Sequence, residues 1–144
     1  MNDTKNIIKA RAVAKIAHAG QRYSGMDYFE AHVSEVARRV TEAGGSERHI
    51  VVAYLHDVVE DTHVTLSDLH ALGFSSAIQA AVDALTRREG ETYLTEYIER
   101  VLCNDIATVV KYHDLRANTN TATPVKLARR NLKAMARIKA EMSK

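Results

Sequence analysis

The chain has 144 residues and a mass of 16.0 kDa, enough for one domain to bury a core without disulfides or a structural metal. Apolar residues make up 46% and charged residues 26%, which excludes the disordered and fibrous classes. Twenty Lys and Arg against eighteen Asp and Glu leave a net charge of +2, too balanced for the basic excess of a nucleic-acid binder.

With one proline, Pro124, and six glycines placed at breaks, the pattern predicts an all-α chain, a compact bundle of about eight helices. A first helix is expected from about Lys5 to Ala19, with Ile8, Ala12, Ile16 and Ala19 along one stripe. A loop from Gly20 to Asp27 follows. The second helix runs from about Tyr28 to Ala43 and stops at the pair Gly44-Gly45. Ser46 caps a third, Glu47 to about Glu60. Thr65-x-x-Asp68 reads as a capping box for a short helix ending at Gly73. Helices over Ser76–Thr86, Tyr93–Cys103 and Asp105 to about Asn118 precede a last one over 124–141, opened by proline. No repeat, linker or low-complexity tract interrupts the pattern, so residues 1–144 read as a single domain.

The single cysteine, Cys103, excludes a disulfide framework or a thiolate cluster, fits a reducing cytoplasm and suits a core position. No apolar run approaches the roughly 18 residues of a membrane span, and the polar start MNDTKN reads as no signal peptide. Neither a membrane nor a nucleic acid is an expected partner. Seven histidines, by contrast, are generous for this length, and histidine is the commonest metal ligand.

The third helix is the anomaly. Ile50, Val51, Val52, Ala53, Leu55, Val58 and Val59 make it apolar on most of its circumference, a pattern of burial. His56, Asp57, Glu60 and Asp61 interrupt it at i, i+4 spacings. Three carboxylates beside an imidazole on a buried helix repel one another, and a divalent metal compensates them. The alternative is a helix end that emerges into solvent after Leu55, although carboxylates at a helix C-terminus oppose the macrodipole.

Other elements can complete such a site. His32 sits among apolar neighbours on the second helix, either as a satisfied core histidine or as a ligand. Asp114 lies inside the apolar penultimate helix, with Lys111 and Asn118 on the same face. His32, His56, Asp57 and Asp114 together make an N/O donor set that suits octahedral Mn²⁺ or Fe²⁺ better than a closed structural zinc. Lys111 either neutralises phosphate charge or pairs with Asp114. His18 reads as support for the 20–27 loop. Lys126, Arg130, Lys133 and Arg137 form one basic face on the last helix, the pattern of a solvated surface, with phosphate steering as the alternative.

His32, the pair His56-Asp57 and Asp114 resemble the H…HD…D signature of the HD-superfamily metal-dependent phosphohydrolases. The surrounding strings are more specific: Ala17-His-Ala-Gly-Gln21, His32-Val-Ser-Glu-Val-Ala37, Ala53-Tyr-Leu-His-Asp-Val-Val-Glu-Asp-Thr62, Val82-Asp-Ala-Leu-Thr86 and Val110-Lys-Tyr-His-Asp114 with Asn118. This series, over about 10–121, resembles the hydrolase domain of the RelA/SpoT alarmone enzymes and their small stand-alone relatives.

The resemblance implies removal of the 3′-pyrophosphate from (p)ppGpp or a similar nucleotide, usually with Mn²⁺; Fe²⁺, Co²⁺, Zn²⁺ and Mg²⁺ are the other candidate ions. It implies His32, His56, Asp57 and Asp114 as metal ligands and Glu60 with Asp61 as the acidic pair that handles the attacking water. Glu60 is the expected general acid/base, and Asp61 the group that orients the water. Arg22 and Ser24 fall in the nucleotide-gripping loop, and Asn118 and Thr121 match polar contacts to substrate. The chain departs from the family in four places. Tyr23 follows Arg22 where a second basic residue is usual, and His32 stands one residue further from Gly25. Leu115 replaces an arginine and Val33 a proline. These changes touch base and phosphate selectivity, which brings in (p)ppApp beside (p)ppGpp. An HD-type 5′-nucleotidase acting on (deoxy)nucleoside monophosphates and a nucleotide sensor without turnover are the alternatives.

Overall fold

The computed structural model describes residues 2–144. The fold is all-α: α1 (Asn2–Ala17), α2 (Ser34–Glu42), α3 (Glu47–Leu55), α4 (Val58–Asp61), α5 (Leu66–Ala71), α6 (Ser76–Leu85), α7 (Ile98–Val101), α8 (Asp105–Asn118) and α9 (Val125–Met142). Turns of π-helix over Phe29–Val33 and Tyr93–Tyr97 lead into α2 and α7.

The apolar girdle of α3 puts it at the centre, packed on α1, α2, α6 and α8. Val51, Val52, Ala53 and Leu55 are fully buried there; truncating a side chain such as Leu55 to Ala typically costs about 2–5 kcal/mol. Small residues, Ala10 and Ala14, let α1 lie close against it. Ser46 caps α3, accepting from the His49 backbone N–H while the His49 ring reaches back. The Asn104 side chain caps α8 by accepting from Ala107 N–H at 2.9 Å. At the end of α2, Gly44 takes φ +85°, and a Cβ on Gly45 would stand 2.7 Å from Val40 Cγ1, so no side chain fits.

Three expected elements change in ways that matter for the site. The helix expected over 47–60 stops at Leu55 and resumes as α4, because Asp57 takes φ −107°, ψ 0°. The break removes the stacking of His56 over Glu60 that an unbroken helix imposes. The loop expected over 20–27 contains a hairpin, β1 (Arg22–Tyr23) and β2 (Met26–Asp27), paired Arg22↔Asp27 and Tyr23↔Met26. Its two turn residues, Ser24 at φ 51° and Gly25 at φ 80°, both have the positive φ that a tight two-residue hairpin needs. The helix expected from Tyr28 opens as the π-turn, which takes an extra residue per turn.

Two smaller expectations also shift. Cys103 is exposed rather than in the core, since it follows the end of α7 at the surface. Pro124 is the cap of α9 rather than its first residue. Among the described residues no helix is long and apolar enough to cross a membrane.

Candidate metal centre

The break after α3 has a chemical result. It brings Asp57 beside His56 at the end of the central helix, facing His32 from the π-turn before α2 and Asp114 from α8. One donor atom from each of these residues lies within 4.8 Å of all the others. His32 Nε2 stands 2.9 Å from Asp114 Oδ1 and 3.7 Å from Asp57 Oδ2. His56 Nε2 stands 3.1 Å from Asp57 Oδ2 and 3.4 Å from Asp114 Oδ1. His32, His56 and Asp114 are buried and Asp57 is partly so.

Hydrogen bonds from outside the cluster fix these donors. Nδ1 of His56 is 2.6 Å from the Ala53 carbonyl, so it carries a proton and turns Nε2 inward. Yet His56 Nε2 makes no aligned hydrogen bond, although two carboxylate oxygens face it. A buried, unaligned imidazole nitrogen between carboxylates fits a bound divalent ion. The Tyr28 hydroxyl donates to Asp57 Oδ2. Lys111 Nζ donates to Asp114 Oδ2 at 2.9 Å, and Asn118 Nδ2 to Asp114 Oδ1 at 3.3 Å. The Tyr23 hydroxyl donates to Asn118 Oδ1 at 2.6 Å, and its ring stacks on His32 at 5.3 Å.

The electrostatics follow from this packing. Burial works against charge on His56, but Asp57 and Asp114 hold its pKa well above the ordinary histidine value. Burial would raise Asp57; the His56 imidazolium instead brings it to about 2. Asp114 is likewise held well below its usual range against burial, by Lys111 and the two histidines. Asp61 goes the other way. Burial, then the Asp57 and Glu60 charges, push its pKa up to about 6.

Asp57, Glu60 and Asp61 form a second acidic group that runs outward from the cluster. Glu60 Oε1 is held by the backbone N–H of Arg87 at 2.7 Å. Gln21 donates to the Asp61 carbonyl at 2.8 Å, and its own Oε1 meets Nδ1 of the buried His18 at 2.8 Å. His18 therefore does support the 20–27 segment.

A cleft of about 320 Å³ opens beside the cluster, with Tyr23, Ser24, Lys111, Asp114 and Asn118 in its wall. Arg22 and Thr121 are exposed and outside that wall. Adjacent strand residues point to opposite faces, so the side chain that turns inward is Tyr23. Tyr28 holds Asp57, and Tyr93, Arg130 and Asn131 line the cleft; Arg130 was visible in the sequence only as one of a basic stripe, and the other three carried no signal, because their positions depend on which face packs inward.

Fold and site together define a helical bundle whose two histidines and two aspartates can hold a divalent metal beside a nucleotide-sized cleft. The chain matches no protein-family model. It is 35% identical over 81 residues to a probable guanosine-3′,5′-bis(diphosphate) 3′-pyrophosphohydrolase of Synechocystis sp., which is 56% of this chain and 10% of that protein. It is 37% identical over 75 residues to the guanosine-3′,5′-bis(diphosphate) 3′-pyrophosphohydrolase of Vibrio cholerae, 52% of this chain and 10% of that one. With the GTP pyrophosphokinase of Streptomyces coelicolor the identity is 27% over 138 residues, 90% of this chain and 16% of the relative. The chain thus spans about 10% of the length of the first two relatives. A solved structure described as "A metazoan ortholog of SpoT hydrolyzes ppGpp and plays a role in starvation responses" has the same fold, with a TM-score of 0.73 and 20% identity over 95% of this chain and 85% of that one. The RelA/SpoT-type resemblance of the motifs is met in these relatives.

Proposed function

We propose that this protein is a metal-dependent hydrolase, one domain over residues 1–144, that removes the 3′-pyrophosphate of an alarmone nucleotide, (p)ppGpp or (p)ppApp. The observation that carries the reading is the meeting of His32, His56, Asp57 and Asp114 donors within 4.8 Å at the edge of a cleft of about 320 Å³. The pyrophosphohydrolases of Synechocystis sp. and Vibrio cholerae supply the substrate class. The N/O donor set favours Mn²⁺, and a dication held there would lower the pKa of a water and polarise a phosphoryl oxygen. The exposed, unpaired Cys103 is in keeping with a reducing cytoplasm.

The chain's own groups divide the remaining work. Phosphoryl transfer asks mainly for positioning and charge neutralisation. Lys111, charged and partly buried at the cleft wall, offers the neutralising charge. A carboxyl group with a pKa near the working pH exchanges protons best, and Asp61 at about 6 meets that condition. Glu60, tied to the Arg87 backbone, holds the neighbouring segment. This reading gives Glu60 and Asp61 the reverse of the roles expected from the sequence. Tyr23 and Asn118, linked at 2.6 Å, form the side of the cleft where the nucleoside lies.

The test is product analysis with the purified Mn²⁺ form on ppGpp, ppApp and deoxynucleoside monophosphates. Release of pyrophosphate from an alarmone, lost in Asp57→Ala, is expected. Orthophosphate release from a monophosphate without action on alarmones would put a 5′-nucleotidase in its place. Tight alarmone binding without turnover would leave a sensor.

A further inference from the structure

The segment that carries Asp61 cannot hold itself. α4 is a helix of four residues, and so short a turn does not form without outside contacts. Thr62 leaves helical geometry at φ −135°, ψ −176°. The Asp61 carbonyl has no helical donor ahead of it, because the N–H in line for it, on Thr65, goes to Asp68 Oδ2 at 2.9 Å. Gln21 Nε2 fills that place, donating to the carbonyl at 2.8 Å. At the other end of α4 the Tyr28 hydroxyl donates to Asp57 Oδ2, and between the two Glu60 is tied to the Arg87 backbone. Gln21 and Tyr28 flank the hairpin and close it, the Tyr28 N–H donating to the Gln21 carbonyl at 2.9 Å. One short stretch of chain thus grips α4 at both ends, with a metal-ligand candidate at one end and Asp61 at the other.

His18 decides which way the Gln21 amide points. With Nε2 spent on the Asp61 carbonyl, Oε1 is the atom that meets His18 Nδ1 at 2.8 Å, so His18 carries its proton on Nδ1. A rotated amide would set oxygen against the Asp61 carbonyl and lose both bonds. The His18 ring is fully buried 4.9 Å from the Tyr28 ring, and its Nε2 has no partner. A phenyl ring would occupy this place without an unpaired nitrogen, but it could not anchor Gln21. The Gln21 backbone closes the hairpin whatever its side chain, and its N–H donates to the His18 carbonyl at 3.0 Å. The side-chain amide is left with a separate task.

We propose that Gln21 is a positioning residue for Asp61, oriented by His18, and that the pair sets where the Asp61 carboxyl stands relative to the metal ligands. This inference rests on the proposed function, which gives Asp61 the proton exchange, and adds two residues that act through it. A displacement of about 1 Å at a reacting group costs on the order of 10²-fold in rate.

Gln21→Met keeps length and backbone while removing both polar ends, so kcat is expected to fall by about 10- to 100-fold with KM and Mn²⁺ content little changed. His18→Phe is expected to do the same. His18→Asn, whose amide nitrogen stands where Nδ1 stands, is expected to lose much less. The deciding measurement is a double-mutant cycle: in an Asp61→Asn background Gln21→Met is expected to cost nothing further in single-turnover rate. A loss that multiplies in full in that background, or an unchanged kcat in Gln21→Met, would overturn the inference. Amide hydrogen exchange over 58–62 reads the same contact without catalysis. Gln21→Met is expected to speed it about tenfold, the loss of one hydrogen bond, while α3 stays protected. If the parent hydrolyses no alarmone, or Asp61→Asn stays fully active, the proposed function fails at that point. Exchange over 58–62 then decides alone whether Gln21 holds α4, and an unchanged rate overturns it.

Discussion

The Tyr28 hydroxyl donates its hydrogen bond to Oδ2 of Asp57, the same oxygen that faces Nε2 of His56 at 3.1 Å. Tyr28 stands one residue before the π-turn that carries His32, and Asp57 stands at the break between α3 and α4. One hydrogen bond thus ties together the two irregular segments that supply metal-ligand candidates. Outer contacts of this kind set the orientation of ligating groups, and losing one typically costs about 10- to 100-fold in metal affinity. Tyr28→Phe is expected to weaken Mn²⁺ binding by that factor while the chain keeps its fold. Metal titration followed by thermal unfolding checks it, and unchanged affinity would remove Tyr28 from the site.

Proton exchange separates the acidic pair. Asp61→Asn keeps shape and removes a titrating group whose pKa lies at about 6. Its kcat is expected to fall by roughly 10²- to 10⁴-fold, the usual contribution of a general acid/base, with Mn²⁺ content little changed. Glu60→Gln keeps an acceptor for Arg87 N–H and is expected to lose much less. Single-turnover hydrolysis with elemental analysis measures both; the opposite ranking would restore the assignment expected from the sequence.

Metal binding must displace a proton from His56. The Asp57 and Asp114 carboxylates raise its folded pKa, so this ion pairing stabilises the metal-free protein below about pH 6.5, the unfolded histidine value. The stabilisation is lost as pH rises through the higher folded pKa. Asp57, depressed to about 2, contributes in the other sense: its stabilisation is present above about pH 4, the unfolded value, and goes as pH falls toward 2. Mn²⁺ affinity is therefore expected to increase from pH 6 to pH 8, with uptake of a proton by buffer at neutral pH. Calorimetry in buffers of different ionisation enthalpy reads the released proton directly. A pH-independent affinity would contradict the protonated His56.

The hairpin gives a contrast between neighbours. Tyr23→Ala removes the ring stacked on His32 and the bond to Asn118, so KM for the alarmone is expected to rise more than kcat falls. Arg22→Ala removes a charge on the outer face, where effects are small and screened by salt. Measuring KM for both at two ionic strengths decides which residue grips the nucleotide.

The helical class, the central place of α3, its Ser46 cap and the Thr65–Asp68 capping box were legible in the sequence, because each depends on spacings within a few residues. So was the grouping of His32, His56, Asp57 and Asp114, through motif strings and through carboxylates placed on an apolar helix. What only the tertiary structure decided was direction. A local pattern cannot show that Asp57 leaves helical geometry, or that the segment before His32 winds as a π-turn. Nor could spacing separate Arg130 from Lys126, Lys133 and Arg137. One basic stripe becomes three surroundings (solvent, an ion pair and a cleft) only when α9 packs against α8 and the turn at Tyr93–Tyr97. Sequence periodicity encodes which residues share a face. Which of them meets a cavity is set by contacts far apart in the chain.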